Sequence, residues 1–210
     1  MSRIDLISPP QFELSAFKDP LAAVLQAADI ACFQLRLKDA PDDVWKKAVS
    51  ALMPLCAARD VAFILNDRAD LVFETGADGV HIGRTDMPYA EARHMLGEKK
   101  IIGVSCYASK DAAMEAAAAG ADYVAFGSVF PSSTKEDAPL VSPQVLEDWA
   151  QMATTPCVAI GGITAENCAP LVRAGVDFLA VIGAVWNHPT GPASGVKILQ
   201  QAIENAKKEA

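Results

Sequence analysis

Short apolar runs in this 210-residue chain end on side chains of the kinds that hold phosphate and metal. In FQLRLKD, Gln34, Arg36 and Lys38 alternate with Phe33, Leu35 and Leu37. Alternation along an extended strand puts the three polar residues on one face and the three apolar ones on the other. Two cations on an inward face repel each other and lose hydration unless an anion or carboxylates meet them. Asn66 and Asp67 close a second run in FILNDRAD, and Asp86 follows a third in HIGRTDMP. Each aspartate alone reads equally well as a helix cap. Placed on neighbouring strands, they read as a pair. Two carboxylates, a bound phosphate and waters can then complete the oxygen octahedron of Mg2+. Ser105 ends IIGVS, a weak signal by itself. In FGSVFPSSTKEDA, Ser132, Ser133, Thr134 and Lys135 follow an apolar run at once. Hydroxyls, backbone N–H groups and one cation suit an anion better than a plain turn of Gly, Asn or Asp. Gly161 and Gly162 in CVAIGGIT, and Ile182 and Gly183 further on, precede helical patterns and expose backbone N–H groups of the kind that bind phosphate. No Ser-His-Asp or Cys-His logic is present, and His81, between Val80 and Ile82, reads as a satisfied interior histidine. The chemistry expected is cations plus a metal around two phosphate-bearing groups.

Three related segments supply the elements that would position these groups: TGADGVHIG (75–83), AGADYVAFG (119–127) and AGVDFLAVIG (174–183). In each, a helical pattern stops at a glycine, an aspartate follows two residues later, and a short apolar strand runs to another glycine. Glycine suits the left-handed position just past a helix. Further strands are expected at 3–8, 31–38, 61–67, 101–105 and 157–163, with helical patterns between them and one closing the chain. Asp19, Ser109, Ser142 and Thr164 read as helix caps. Eight strands alternating with about eight helices predict a single (β/α)8 TIM-barrel domain over residues 1–210. The alternative, an open doubly wound sheet, lacks a G-x-G-x-x-G after the first strand. In a closed barrel no edge strand exists to solvate Arg36 and Lys38, so both belong at the mouth.

Bulk composition narrows the partners. Hydrophobic residues make up 51% and charged residues 21%, which is globular rather than disordered. The formal net charge of −8 disfavours nucleic acid and anionic membrane surfaces, so an anionic ligand needs local cations. Five cysteines without metal spacing suit reduced thiols in the cytoplasm. No signal peptide or membrane-spanning run is read from the sequence.

QLRLKD, FILNDRADLVFETGADGVHIGRTDMP, IIGVS, GADYVAFGSVFPSSTKEDA and VAIGGITAENCAPLVRAG, in that order, resemble thiamine-phosphate synthase, also called thiamine-phosphate pyrophosphorylase. The resemblance covers nearly the whole chain. It implies a (β/α)8 barrel that joins 4-amino-2-methyl-5-(diphosphooxymethyl)pyrimidine to 4-methyl-5-(2-phosphoethyl)thiazole, with release of pyrophosphate. By the resemblance, Gln34 through Lys38 hold the pyrimidine diphosphate with Asn66, Ser105 and Lys135. Arg36, Lys38, Ser105 and Lys135 carry the catalysis. Asp67 and Asp86 hold Mg2+. Ser132, Ser133 and Thr134 contact the thiazole phosphate, with Gly162 and the Ile182 and Gly183 amides. The partners implied are these small phosphorylated molecules, and a homodimer is left open. The chain departs from the pattern at Gly183, where serine is usual, at Arg84, where glutamine is common, and at Cys106–Tyr107, where histidine is often found. Two other readings stand beside it. A thiazole tautomerase would carry histidine where Ser128 stands, and a phosphate-binding paralogue would bind without turnover.

Overall fold

The computed structural model describes residues 2–131 and 140–209. The strands are β1 (Arg3–Ile7), β2 (Ile30–Leu35), β3 (Ala62–Asn66), β4 (Gly79–Ile82), β5 (Ile101–Tyr107), β6 (Tyr123–Gly127), β7 (Cys157–Ile160) and β8 (Phe178–Val181). Each pairs in parallel with its sequence neighbour, and β8 pairs with β1 to close the barrel. The intervening helices are α1 (Leu14–Ala27), α2 (Asp42–Ala57), α3 (Val72–Thr75), α4 (Tyr89–Leu96), α5 (Lys110–Ala118), α6 (Pro143–Met152), α7 (Ala169–Arg173) and α8 (Gly183–Trp186). The last helix, α9 (Pro192–Lys208), follows α8. The expected (β/α)8 architecture is present, and no helix of the described residues is long and apolar enough to cross a membrane.

Alternation along the strands separates two cores. Outward side chains such as Phe33, Leu35, Phe63, Val80, Ile102, Phe126 and Leu179 pack against the helices. Inward side chains form a second, smaller cluster around Ile7, Tyr123, Ala125, Val158 and Ala180. The three repeated segments have a common structural cause. Gly76, Gly120 and Gly175 take φ of 80°, 96° and 87° just past their helices. The aspartate two residues on then accepts a backbone N–H from the start of the preceding strand: Asp78 from Phe63 at 2.7 Å, Asp122 from Ile102 at 2.8 Å, and Asp177 from Cys157 at 2.9 Å. A charged acceptor strengthens each bond and fixes the register of one βα unit against the last.

Four local expectations change. The second strand stops at Leu35, so Arg36 and Lys38 lie beyond it rather than on its face. Ser8 is the reason: its Oγ accepts the Arg36 N–H at 2.9 Å and donates to the Arg36 carbonyl at 3.2 Å, replacing ladder bonds with a side-chain clamp. Asp19 is not a cap. Helix α1 begins earlier, with Glu13 accepting from Ser15 N–H, and its apolar stripe of Phe17, Leu21, Val24 and Leu25 runs through Pro20. Thr164 is not a cap either, because α7 starts only at Ala169. The Thr164 N–H is instead taken by Asn167 Oδ1 at 2.8 Å. The seventh strand ends at Ile160, which leaves Gly161 and Gly162 in the turn that follows. Ser109 and Ser142 do cap their helices, accepting from Ala112 and Gln144 N–H.

Candidate active site at the C-terminal mouth

Strand ends fix most of the site. Gln34 is the last inward residue of β2 and is buried, paired in register with Ile64 of β3. Arg36 leaves the strand end under the Ser8 clamp. Lys38 follows at the surface, its N–H donated to the Pro10 carbonyl at 3.3 Å. Asn66 ends β3, and Asp67 comes next with a φ of 67°. That left-handed turn, pinned by the Asp67 N–H on the His81 carbonyl at 2.8 Å, sets the position of the carboxylate at the mouth. No side-chain cap bond stands at the 3-10 turn that follows, so Asp67 is not the helix cap its position allowed. Asp86 does not cap α4 either. Its Oδ2 accepts the Gly83 N–H at 2.7 Å and so folds the loop after β4 back onto the strand end.

The two carboxyls meet. Although Asp67 opens to solvent at the mouth, burial on its inner side and the Asp86 carboxyl within hydrogen-bonding reach push it up to about 7. Arg36, within electrostatic range, and Asn66, within hydrogen-bonding reach, act in the opposite direction. A carboxylate pair held this close resists double ionisation until a cation is shared. The donors are oxygens only, which suits a hard divalent ion. Among the described residues no group of three or more His, Cys, Asp or Glu converges, so remaining ligands of such an ion would come from phosphate and water. The donor set therefore fits Mg2+. Arg84, at the position where glutamine was expected, lies over the Tyr107 ring with its guanidinium carbon 4.9 Å from the ring centroid.

Behind Ser105 lies a relay that the sequence did not reveal. His81 is buried, with Nε2 2.8 Å from Ser105 Oγ and Nδ1 3.0 Å from the Tyr123 hydroxyl. The ring is satisfied on both nitrogens, as an interior histidine should be, yet one of those bonds leads to a site residue. Burial raises the Tyr123 hydroxyl well above its ordinary range, so it keeps its proton. In the tautomer where Tyr123 donates to Nδ1, Nε2 donates to Ser105 Oγ, which leaves the serine's own O–H to donate to another group. Tyr123 fits only because Gly103 faces it: a Cβ there would lie 1.9 Å from the Tyr123 ring.

The phosphate loops are similarly fixed. Gly162 takes φ of 64°, and a Cβ there would come within 2.3 Å of the Pro131 carbonyl. Asn167 holds this turn by donating to the Gly162 carbonyl at 2.8 Å. Ile182 and Gly183 open α8, where first-turn N–H groups have no intrahelical partner. The roots of the loop after β6 close against β7: Val129 and Phe130 N–H donate to Ile160 and Gly161 carbonyls at 3.0 and 3.1 Å, and Val141 N–H to Ser128 at 2.8 Å. Ser128 Oγ donates to the Phe130 carbonyl at 2.8 Å. Ser132, Ser133, Thr134 and Lys135 lie outside the described residues. Ser8, His81, Tyr123 and Asn167 were missed as site-building residues. Ser8 sits in an SPP context that carries no motif, and His81, Tyr123 and Asn167 stood inside noticed segments without being read as parts of the site.

A closed parallel barrel with its polar groups gathered where the strands end is the arrangement of barrel enzymes that act on phosphorylated molecules. A family profile described as thiamine monophosphate synthase matches residues 4–185. A thiamine-phosphate synthase of Rhodospirillum centenum is 57% identical over 194 residues, 92% of this chain and 94% of that one. One of Hyphomonas neptunium is 44% identical over 97% of this chain and 95% of its own. The solved thiamine phosphate pyrophosphorylase of Pyrococcus furiosus superposes with a TM-score of 0.86 at 30% identity, covering 97% of this chain and 96% of that one. The chain belongs to the thiamine monophosphate synthase family.

Proposed function

We propose that the C-terminal mouth performs the family reaction, joining the pyrimidine diphosphate to the thiazole phosphate to give thiamine phosphate and pyrophosphate. The observation that carries this reading is the Asp67–Asp86 pair with Arg36 in electrostatic range and Asn66 within hydrogen-bonding reach. A bound Mg2+, held by Asp67 and Asp86, would supply positive charge to the leaving diphosphate. Arg36, Lys38 and Lys135 add cationic charge on the same group, and Gln34 and Asn66 orient it. Charge grows on the diphosphate oxygen as the C–O bond to the pyrimidine methylene breaks, and preplaced cations lower that barrier. The electron pair leaves with pyrophosphate. The methylene carbon, electron-poor and conjugated with the aminopyrimidine, then takes the thiazole nitrogen lone pair to form the C–N bond. That nitrogen carries no proton, so no protein base is required, which agrees with the lack of a base in the sequence motifs. Ser105, oriented by His81, donates a hydrogen bond to the diphosphate and keeps its proton. Ser132, Ser133 and Thr134, with the Gly162, Ile182 and Gly183 amides, hold the thiazole phosphate. The setting is the cytoplasm and the partners are small molecules.

The test is an incubation of purified protein with both phosphorylated substrates and Mg2+, with the product read by oxidation to fluorescent thiochrome and a parallel sample in EDTA. Mg2+-dependent product is expected. Binding of both ligands with no product would overturn the reading and leave a binding paralogue or a tautomerase.

A further inference from the structure

The opposite end of the barrel holds a second cavity, of about 260 Å³. Its walls include Ile64, Ile101, Tyr123, Val158 and Phe178, inward residues of five strands, and they are mostly apolar. Of its charged residues, Arg3, Asp122 and Asp5, the one with no ionic partner among the described residues is Asp5. It comes from β1, is 2% exposed, and accepts one bond, from the Cys32 thiol at 3.1 Å on Oδ1. Among the described residues no donor meets its other oxygen. The cations near this end are turned elsewhere. Arg3 is committed to Asp29 through two bonds of 3.0 and 2.7 Å, and Arg93 to Asp122 at 2.6 Å. A buried carboxylate with one weak donor costs stability and does nothing for the packing, since an apolar residue of similar size would fill the same space.

We propose that this cavity is a binding site for one small, flat organic cation of the amidine or protonated amino-heterocycle class. Its N–H groups would donate to the open Asp5 oxygen, a charge-assisted bond between mostly apolar walls. Its ring would lie against Tyr123 and Phe178, whose faces attract a cation. The volume is below that of a drug-sized pocket and suits a single ring with one substituent. An inorganic cation is disfavoured because the walls offer no further set of oxygen ligands. A phosphorylated ligand is disfavoured because Asp5 and Asp122 are both acidic. The site is therefore distinct in chemistry from the mouth.

The experiment is a titration of the full chain with benzamidine at neutral pH, by calorimetry or ligand-observed NMR, with neutral benzamide as the shape control. The variants are Asp5→Asn, Ala62→Leu and Arg36→Ala. Ala62 lines the cavity from β3, so Ala62→Leu fills it while leaving Asp5 in place. Benzamidine should bind the wild-type chain with a Kd of about 1 mM or tighter, and at least about tenfold more weakly in Asp5→Asn and in Ala62→Leu. Arg36→Ala should bind as the wild type does, and benzamide should not bind. Thermal melts confirm which variants are folded, and the two cavity variants act from different strands, so either one decides. Equal affinity in a folded cavity variant, equal binding of benzamide, loss in Arg36→Ala, or no binding up to about 10 mM would each overturn the proposal.

Discussion

Among the described residues, two carboxyls are held above their ordinary range, one at each end of the barrel, for different reasons. Asp5 is pushed up to about 6 by burial, with only the Cys32 thiol opposing. Asp67 is pushed up to about 7 by burial first and by Asp86 next. The N-terminal end thus presents one carboxyl without an ionic partner among mostly apolar and aromatic walls, since Asp122 is paired with Arg93, and the C-terminal mouth presents two crowded carboxyls with a guanidinium in electrostatic range. The first environment asks for a single diffuse positive charge. The second asks for a compact divalent one shared with phosphate. One set of strands builds both because inward residues at their first and last positions belong to different layers and are chosen independently.

The sharpest way to break this contrast is at the mouth. Asp67→Ala should lower thiamine phosphate formation by about a hundredfold or more, since it removes half of the anion pair that would hold the metal. Added Mg2+ should restore part of the loss, and the Mg2+ concentration at half-maximal rate should rise. The fold should persist, since the side chain reaches solvent and makes no cap, with stability lowered by about 1 kcal/mol because alanine accepts the left-handed φ of 67° less readily than aspartate. Full activity at ordinary Mg2+ would remove Asp67 from the metal site.

At the other end the expected effect is on stability. The folded Asp5 carboxyl has a pKa of about 6, against about 3.9 in an unfolded chain. The folded state therefore holds the proton more tightly. The stabilising contribution of the neutral form is complete below about pH 4 and is lost as pH rises through about 6. Cys32, Tyr123 and Arg3 face or flank this carboxyl, and Cys32 and Tyr123 are raised well above their ordinary values and stay neutral here. Asp5→Asn cannot ionise. It should be more stable than the wild type by about 3 kcal/mol at pH 8, and the gap should close towards pH 4. Urea midpoints across that range measure it. A gap that does not change with pH would show that Asp5 titrates in the folded chain as it does in the unfolded one, and the contrast between the two ends would fail.

The fold was largely legible because its signals are local. A helix stop at glycine, an aspartate two residues on and a short apolar strand recur, and the structure gives the aspartates one job, binding Phe63, Ile102 and Cys157 N–H groups. Candidate residues could be picked out where a residue type sits at or just past a strand end, as with Asn66, Asp67 and Asp86, whereas Ser105, read as ending its strand, lies inside β5, which runs on to Tyr107. The site was not legible where the effect comes from long-range contact. Ser8 ends β2 from 28 positions away. Tyr123 reaches His81 across 42 positions, into space left by Gly103. Helix α1 runs through Pro20 because buried Phe17 and Leu21 outweigh a cap signal at Asp19.

The smallest effect is the one that joins the two ends. Tyr123 lines the lower cavity with its ring and touches His81 with its hydroxyl, and His81 in turn touches Ser105. If His81 only fills space, His81→Phe should change stability and leave the reaction's kinetics in place. If it aims the Ser105 proton at the diphosphate, kcat should fall about tenfold, the worth of one oriented hydrogen bond, with little change in KM for the thiazole phosphate. His81→Asn should recover part of that loss, because its amide keeps a donor and an acceptor within the same space. In a Ser105→Ala background the His81 substitution should cost almost nothing more, since its partner is gone. Additive losses in the double variant would show that His81 acts on the mouth by another route, and the two ends would then share a wall without sharing a proton relay.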